Sequence, residues 1–179
     1  MSQRLVPVTV HQTATASPEV SFDVTAPIDL TLIFTGYGPL PSVVGIREQT
    51  GAWDHVGVSR RPVLSDGTAT FEQVTDYNPP SGFAYEVIGF TNILGRFVHG
   101  ARGSWTFSPT AQGGTLIEWT YGFRPKRFRS LATRLLIVPI WRPYMRRALA
   151  ATVREVHRAP TPPTYSDRQR TRQRQGRTD

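Results

Sequence analysis

Val6, Val8 and Val10 alternate with Pro7, Thr9 and His11, a period of two that predicts a strand over 5–16. Ser17-Pro18-Glu19 then carries helix-start chemistry: a hydroxyl that can cap, a proline suited to the first turn, and an acid at the positive end of the helix. Pro27 interrupts the helical stretch after it, so two short helices are expected, over 18–25 and 27–35, ended by Gly36, Gly38, Pro39 and Pro41. From Val43 to Phe123 the pattern turns to short β-type runs, expected as strands over 43–50, 57–64, 68–77, 83–91, 102–108 and 115–123. They are split by Gly51, Asp66-Gly67, Pro79-Pro80-Ser81-Gly82, a loop over 95–100 and Gly113-Gly114, spacings that leave room only for hairpins. These runs make a six-stranded antiparallel meander, with the first strand joining as the seventh. After Pro125, residues Leu131, Leu135, Val138, Trp141, Met145, Leu149, Val153 and Val156 recur at steps of three and four, which predicts one long helix. Pro139 and Pro143 fall inside it, so a kink or break is expected near 139–143, a place for a lid or entrance. The fold class is therefore α+β: a curved seven-stranded antiparallel sheet around a long C-terminal helix, with two short helices after the first strand. One helix cannot fill a concave sheet, so a cavity between them is expected.

Composition sharpens the domain picture. A chain of 179 residues is one domain's worth, assigned here to 5–157. Residues 158–179 form an Arg-rich tail that is expected to be disordered, since Arg168 to Asp179 contains no apolar residue. The net charge of +8 is unevenly placed: residues 1–123 carry six Arg against ten acids, residues 124–157 nine cations against Glu155, and the tail six Arg against two Asp. The absence of cysteine excludes disulfide scaffolds, thiol nucleophiles and cysteine-ligated metal. Met1 to Val10 lacks a continuous apolar stretch and the longest apolar run is Leu135 to Trp141, so a cytoplasmic location is expected.

The order of elements resembles the helix-grip fold of the START-related SRPBCC superfamily. The segment from Ile28 to Pro41 (IDLTLIFTGYGPLP) is similar to that of uncharacterised actinobacterial members, as are Gln49-Thr50-Gly51-Ala52-Trp53-Asp54, Leu64-Ser65-Asp66-Gly67, Pro79-Pro80 with Phe83-Ala84-Tyr85, and Gly114 to Tyr121 (GTLIEWTY). The resemblance implies a shared pocket more than a shared catalytic set, because lipid carriers, hormone receptors and polyketide cyclases or dehydratases use the one scaffold.

Alternation gives that pocket candidate walls. Ile117, Trp119, Tyr121 and Phe123 share one strand face, as do Trp105 with Phe107, and Phe83 with Tyr85 and Val87. The ligand-binding residues expected from this are Tyr85, Val87, Trp105, Phe107, Trp119, Tyr121 and Phe123 from the sheet, with Leu135, Val138 and Trp141 from the helix; the plainer reading is a filled core. Glu48, Glu72, Glu86 and Glu118 lie within strands, where a carboxylate facing an apolar cavity could act as an acid or base, and one facing water could not. His99, beside Phe97 in the 95–100 loop, is the histidine best placed to serve a pocket entrance. The four histidines show no ligand spacing, so neither a metal nor a cofactor is implied. The function expected is binding of a hydrophobic small molecule, lipid-like or aromatic and polyketide-like. The alternative is a polyketide cyclase or dehydratase using Glu72, Glu86 or His99. A second alternative is contact with an anionic membrane surface or, less favoured, nucleic acid through the basic C-terminal region. Oligomeric state is left open.

Overall fold

In the computed structural model, which describes residues 5–159, the strands are β1 (Val6–Ala14), β2 (Val43–Arg47), β3 (Ser59–Leu64), β4 (Phe71–Asn78), β5 (Gly82–Ile88), β6 (Val98–Pro109) and β7 (Thr115–Pro125). They form one antiparallel sheet in the order β1-β7-β6-β5-β4-β3-β2, so β1 and β2 are its two edges. The helices α1 (Pro18–Thr25) and α2 (Leu30–Ile33) carry the chain from one edge to the other. Ser17 starts α1 by accepting the Val20 N–H on its Oγ at 3.4 Å, with Pro18 in the first turn. Asp29 starts α2 by accepting the Thr31 N–H at 2.9 Å. That cap shortens the second helix from the expected 27–35, because Asp29 itself is extended, which lets its carboxylate turn back on the Thr31 N–H. The tail expected over 158–179 lies outside the described residues from 160 onward, and Arg158 itself ends the last helix.

Two further expectations are corrected. The 95–100 loop is a 3-10 turn (Ile93–Arg96) followed directly by β6, which begins at Val98 and not at 102. Gly100 lies inside that strand, where a Cβ would meet Val87 O at 2.7 Å; glycine here permits a close strand approach and does not mark a turn. The C-terminal helix opens with a single turn, α3 (Ser130–Ala132), passes through a π-helical turn (Thr133–Ile137) and becomes regular as α4 (Val138–Arg158). The break therefore precedes 139–143. Pro139 lacks the N–H that would close onto Leu135, and the widened turn absorbs that loss before α4 begins.

The inner face of the sheet carries an aromatic ladder. Phe83, Trp105 and Trp119 are register partners on β5, β6 and β7, and the two indoles stack with centroids 4.6 Å apart. Phe22 of α1 packs edge-on against Tyr77, Phe83 and Phe107 at one end of this face. Trp141 of α4 packs on Tyr121 and Phe123 at the other. His157 accepts the Thr15 N–H on Nε2 at 3.2 Å, tying the end of α4 to the chain just after β1.

Candidate functional site

Two rows of residues cross the sheet between these packed ends. Arg60, Glu72, Val87, Ala101 and Phe123 are successive register partners from β3 to β7, and beside them run Val74, Tyr85, Gly103 and Tyr121 from β4 to β7. Gly103 sets the local relief. A Cβ at that position would lie 2.3 Å from Tyr85 Cζ, so the phenol leans over the strand where a side chain would otherwise stand. β4 is bulged between Val74 and Asp76, which resets its alternation so that Glu72, Val74 and then Tyr77 face inward.

Above these rows lies a cavity of about 60 Å³. Glu72, Tyr85, Val87 and Tyr121 of the sheet wall it, with Trp141 and Tyr144 of α4, Leu30 of α2, and Phe34 just beyond it. Leu40, Pro41, Val43, Pro62, Leu64, Thr70, Phe90, Asn92 and Leu94 complete the lining. That volume holds only a handful of waters, so a lipid or fused-ring ligand enters only if the walls part. Burial pushes the Tyr85, Tyr121 and Tyr144 hydroxyls well above the usual phenol range, with the Glu72 charge adding to the effect at Tyr85 and Tyr121. All three are thus neutral hydrogen-bond donors at physiological pH. Tyr144 spends its donor on the Pro41 carbonyl at 2.7 Å. Trp119 Nε1 is buried without a hydrogen-bond acceptor. Trp141 Nε1 is also buried without one.

The one carboxylate on this wall is held by a buried ion pair. Arg60 Nε donates to Glu72 Oε2 at 2.9 Å, the side chains being 8% and 12% exposed, and the guanidinium lies 3.8 Å from the Trp53 ring centroid. Beyond the pair runs a second, more open groove of about 430 Å³ lined by Ile28, Leu30, Ile46, Trp53 and Arg60, among others. Leu30 borders both spaces. Leu30 and the Arg60–Glu72 pair therefore form the partition between the inner cavity and the outer groove.

Of the residues expected at the site, Glu72, Tyr85, Val87, Tyr121 and Trp141 meet at the cavity wall. Trp105, Phe107, Trp119 and Phe123 are on the same face but packed into the ladder, Val138 is half-buried at the rim of the core, and Leu135 is 64% exposed on the π-helical turn. The structure also corrects two placements. Glu86 lies on the outer face, paired through both oxygens with Arg124, and those hydrogen bonds hold its carboxyl below the usual carboxylate range. His99 is exposed in β6, not in an entrance loop, because Val98 and Gly100 on either side of it are the buried residues. Tyr144 was missed by the periodic reading of the helix although it stands three residues after Trp141, a spacing that puts it on the same face. Phe34 and Leu40 lie in the segment that carries the resemblance, but no alternation marks them as lining. Among the described residues there is no group of three or more His, Asp or Glu able to hold a metal.

Residues 6–157 match the protein family described as polyketide cyclase / dehydrase and lipid transport. No curated protein matches the chain. Solved structures with the same fold include Ara h 8.0201, 14% identical over 87% of this chain and 99% of that one, with a TM-score of 0.63. Protein MLL2253 from Mesorhizobium loti is 12% identical over 87% and 99%, also with a TM-score of 0.63. The di-domain ARO/CYC BexL of the BE-7585A biosynthetic pathway is 13% identical over 88% of this chain and 52% of that one, with a TM-score of 0.58, so this chain spans about half of it. At these identities the likeness establishes the helix-grip fold and carries no residue roles.

Proposed function

Since the chain belongs to the polyketide cyclase/dehydrase and lipid-transport family, of SRPBCC type, we propose that it binds a hydrophobic small molecule between the sheet and α4. The observation that carries this reading is the largely apolar cavity between sheet and α4, with the neutral Tyr85 and Tyr121 hydroxyls and the Glu72 carboxylate on one wall. Apolar burial supplies the driving force, about 25 cal/mol per Å² before the cost of association. The phenols donate to a carbonyl or hydroxyl on the ligand and fix its orientation. Trp141 has an unused buried N–H beside the same space, and a ligand oxygen that reaches it removes an unmet donor.

The ligand is too large for the cavity as it stands, so binding widens it, and moving the partition at Leu30 and Arg60 would join it to the outer groove. The cyclase or dehydratase alternative narrows to Glu72, the carboxylate on the wall; Glu86 stands on the other side of the sheet, and His99 is exposed at a break in the β6 register. The Arg60 bond already occupies one Glu72 oxygen, which favours the binding reading over proton transfer.

Native mass spectrometry of the protein purified from its own host tests the proposal. One apolar molecule per chain is the expected result. An apo mass, together with no rise in melting temperature on adding lauric acid or anthraquinone in excess, would overturn it, because any ligand that binds only the folded state must raise stability.

A further inference from the structure

We propose that the turn from Lys126 to Leu136 is a docking surface for an anionic lipid bilayer. Phe128, Leu131, Leu135 and Leu136 are 88%, 67%, 64% and 53% exposed, and they lie close in sequence on the loop after β7, the single turn α3 and the π-helical turn that follows it. Single exposed apolar residues are ordinary on a protein surface, but a contiguous group of large ones is a contact site. The backbone reinforces the point. Phe128 has φ 61, a left-handed conformation that a bulky residue rarely adopts, and the result is a ring held out in solvent.

Charge identifies the occupant. Lys126, Arg127, Arg129 and Arg134 are interleaved with these apolar residues, and Arg96 lies on the neighbouring 3-10 turn, which the Lys126 N–H joins by bonding Phe97 O at 2.8 Å. Among the described residues none of these five cations has an acidic partner, and the chain has no acid between Glu118 and Glu155. Apolar side chains ringed by unpaired cations match a surface with an apolar interior and anionic headgroups. A nucleic acid would use the cations but leaves three exposed leucines without a role.

The position is consistent with exchange of cargo. Asn92, which precedes the 3-10 turn, and Leu94 within it line the cavity, and the π-helical turn leads into α4, whose Trp141 and Tyr144 form another of its walls. Docking here sets the cavity beside the bilayer. Docking does not depend on the cavity being occupied.

Co-sedimentation of the full chain with vesicles tests it, using equimolar phosphatidylglycerol and phosphatidylcholine against phosphatidylcholine alone. Binding to the anionic vesicles is expected to exceed binding to the neutral ones at least tenfold. The triple variant Phe128→Ser, Leu131→Ser, Leu135→Ser is expected to lose at least tenfold of the anionic binding with an unchanged melting temperature, since all three side chains are exposed. No anionic binding would overturn the proposal. So would full binding by the triple variant, which would assign any attraction to charge elsewhere on the chain. A wild-type dimer that becomes monomeric in the triple variant would overturn it as well, making the patch a contact between copies, as would RNA binding that falls with the same substitutions.

Discussion

Arg60→Met is expected to lower folding stability by about 3–5 kcal/mol, because it leaves Glu72 buried in an apolar wall with no countercharge. The pair is a direct cross-strand one, Arg60 on β3 opposite Glu72 on β4, and both side chains are turned to the interior. Its net contribution is a different quantity from the cost of breaking it, since both ions also lost their hydration on folding. The double variant Arg60→Met, Glu72→Leu is therefore expected to recover most of the loss. Chemical denaturation of the wild type and both variants measures the difference. A typical domain has only about 5–15 kcal/mol in total, so the single variant should be visibly fragile. A loss under about 1 kcal/mol would mean that water reaches Glu72 and that the partition is already open.

Gly103→Val is expected to weaken binding of anthraquinone or lauric acid about ten- to a hundredfold while the protein stays folded. The physical cause is steric. The new Cβ would stand 2.3 Å from Tyr85 Cζ and 2.6 Å from its hydroxyl oxygen, so the phenol has to swing off the strand, and the open space on that face is the cavity. Valine suits a strand, so the backbone itself does not object; the cost is overpacking, about 1–3 kcal/mol, felt most where a ligand would add more volume. Gly51→Ala is the control, because a Cβ there meets only the Val58 and His55 side chains, at ordinary contact distances of 3.8 and 3.9 Å, and lies outside both spaces. Fluorescence titration of both variants separates the outcomes. Equal affinity in Gly103→Val and wild type would place the ligand somewhere other than over Tyr85.

The element order was legible because each signal it needs is local. The alternation of Ile117, Trp119, Tyr121 and Phe123 reads directly as one inward face, and Ser17-Pro18 reads as a helix start. The features that stayed illegible depend on distant partners. Glu72 and Glu86 look alike in sequence, each within a strand among apolar neighbours. Glu86, between the inward Tyr85 and Val87, is outward by alternation alone, whereas Glu72 is shown to face inward only by the register that sets Arg60 opposite it. Gly100 and Gly103 carry the same residue name as the turn glycines, yet their role is to let Val87 and Tyr85 come close. The π-helical turn was displaced from the expected kink because proline perturbs the turn before it, and the exposed Phe128 has no periodicity to betray it.

The four tryptophans offer the most direct test of ligand binding between sheet and α4. Their indole N–H groups give four proton–nitrogen NMR signals from four distinct places: Trp141 at the cavity wall, Trp53 in the outer groove, and Trp105 and Trp119 in the stacked ladder. On titration with anthraquinone or lauric acid, the Trp141 signal is predicted to move most, saturating at one equivalent, with the ladder pair moving less. Saturable binding that leaves Trp141 unmoved, or that shifts Trp53 alone, would contradict a ligand site between sheet and helix.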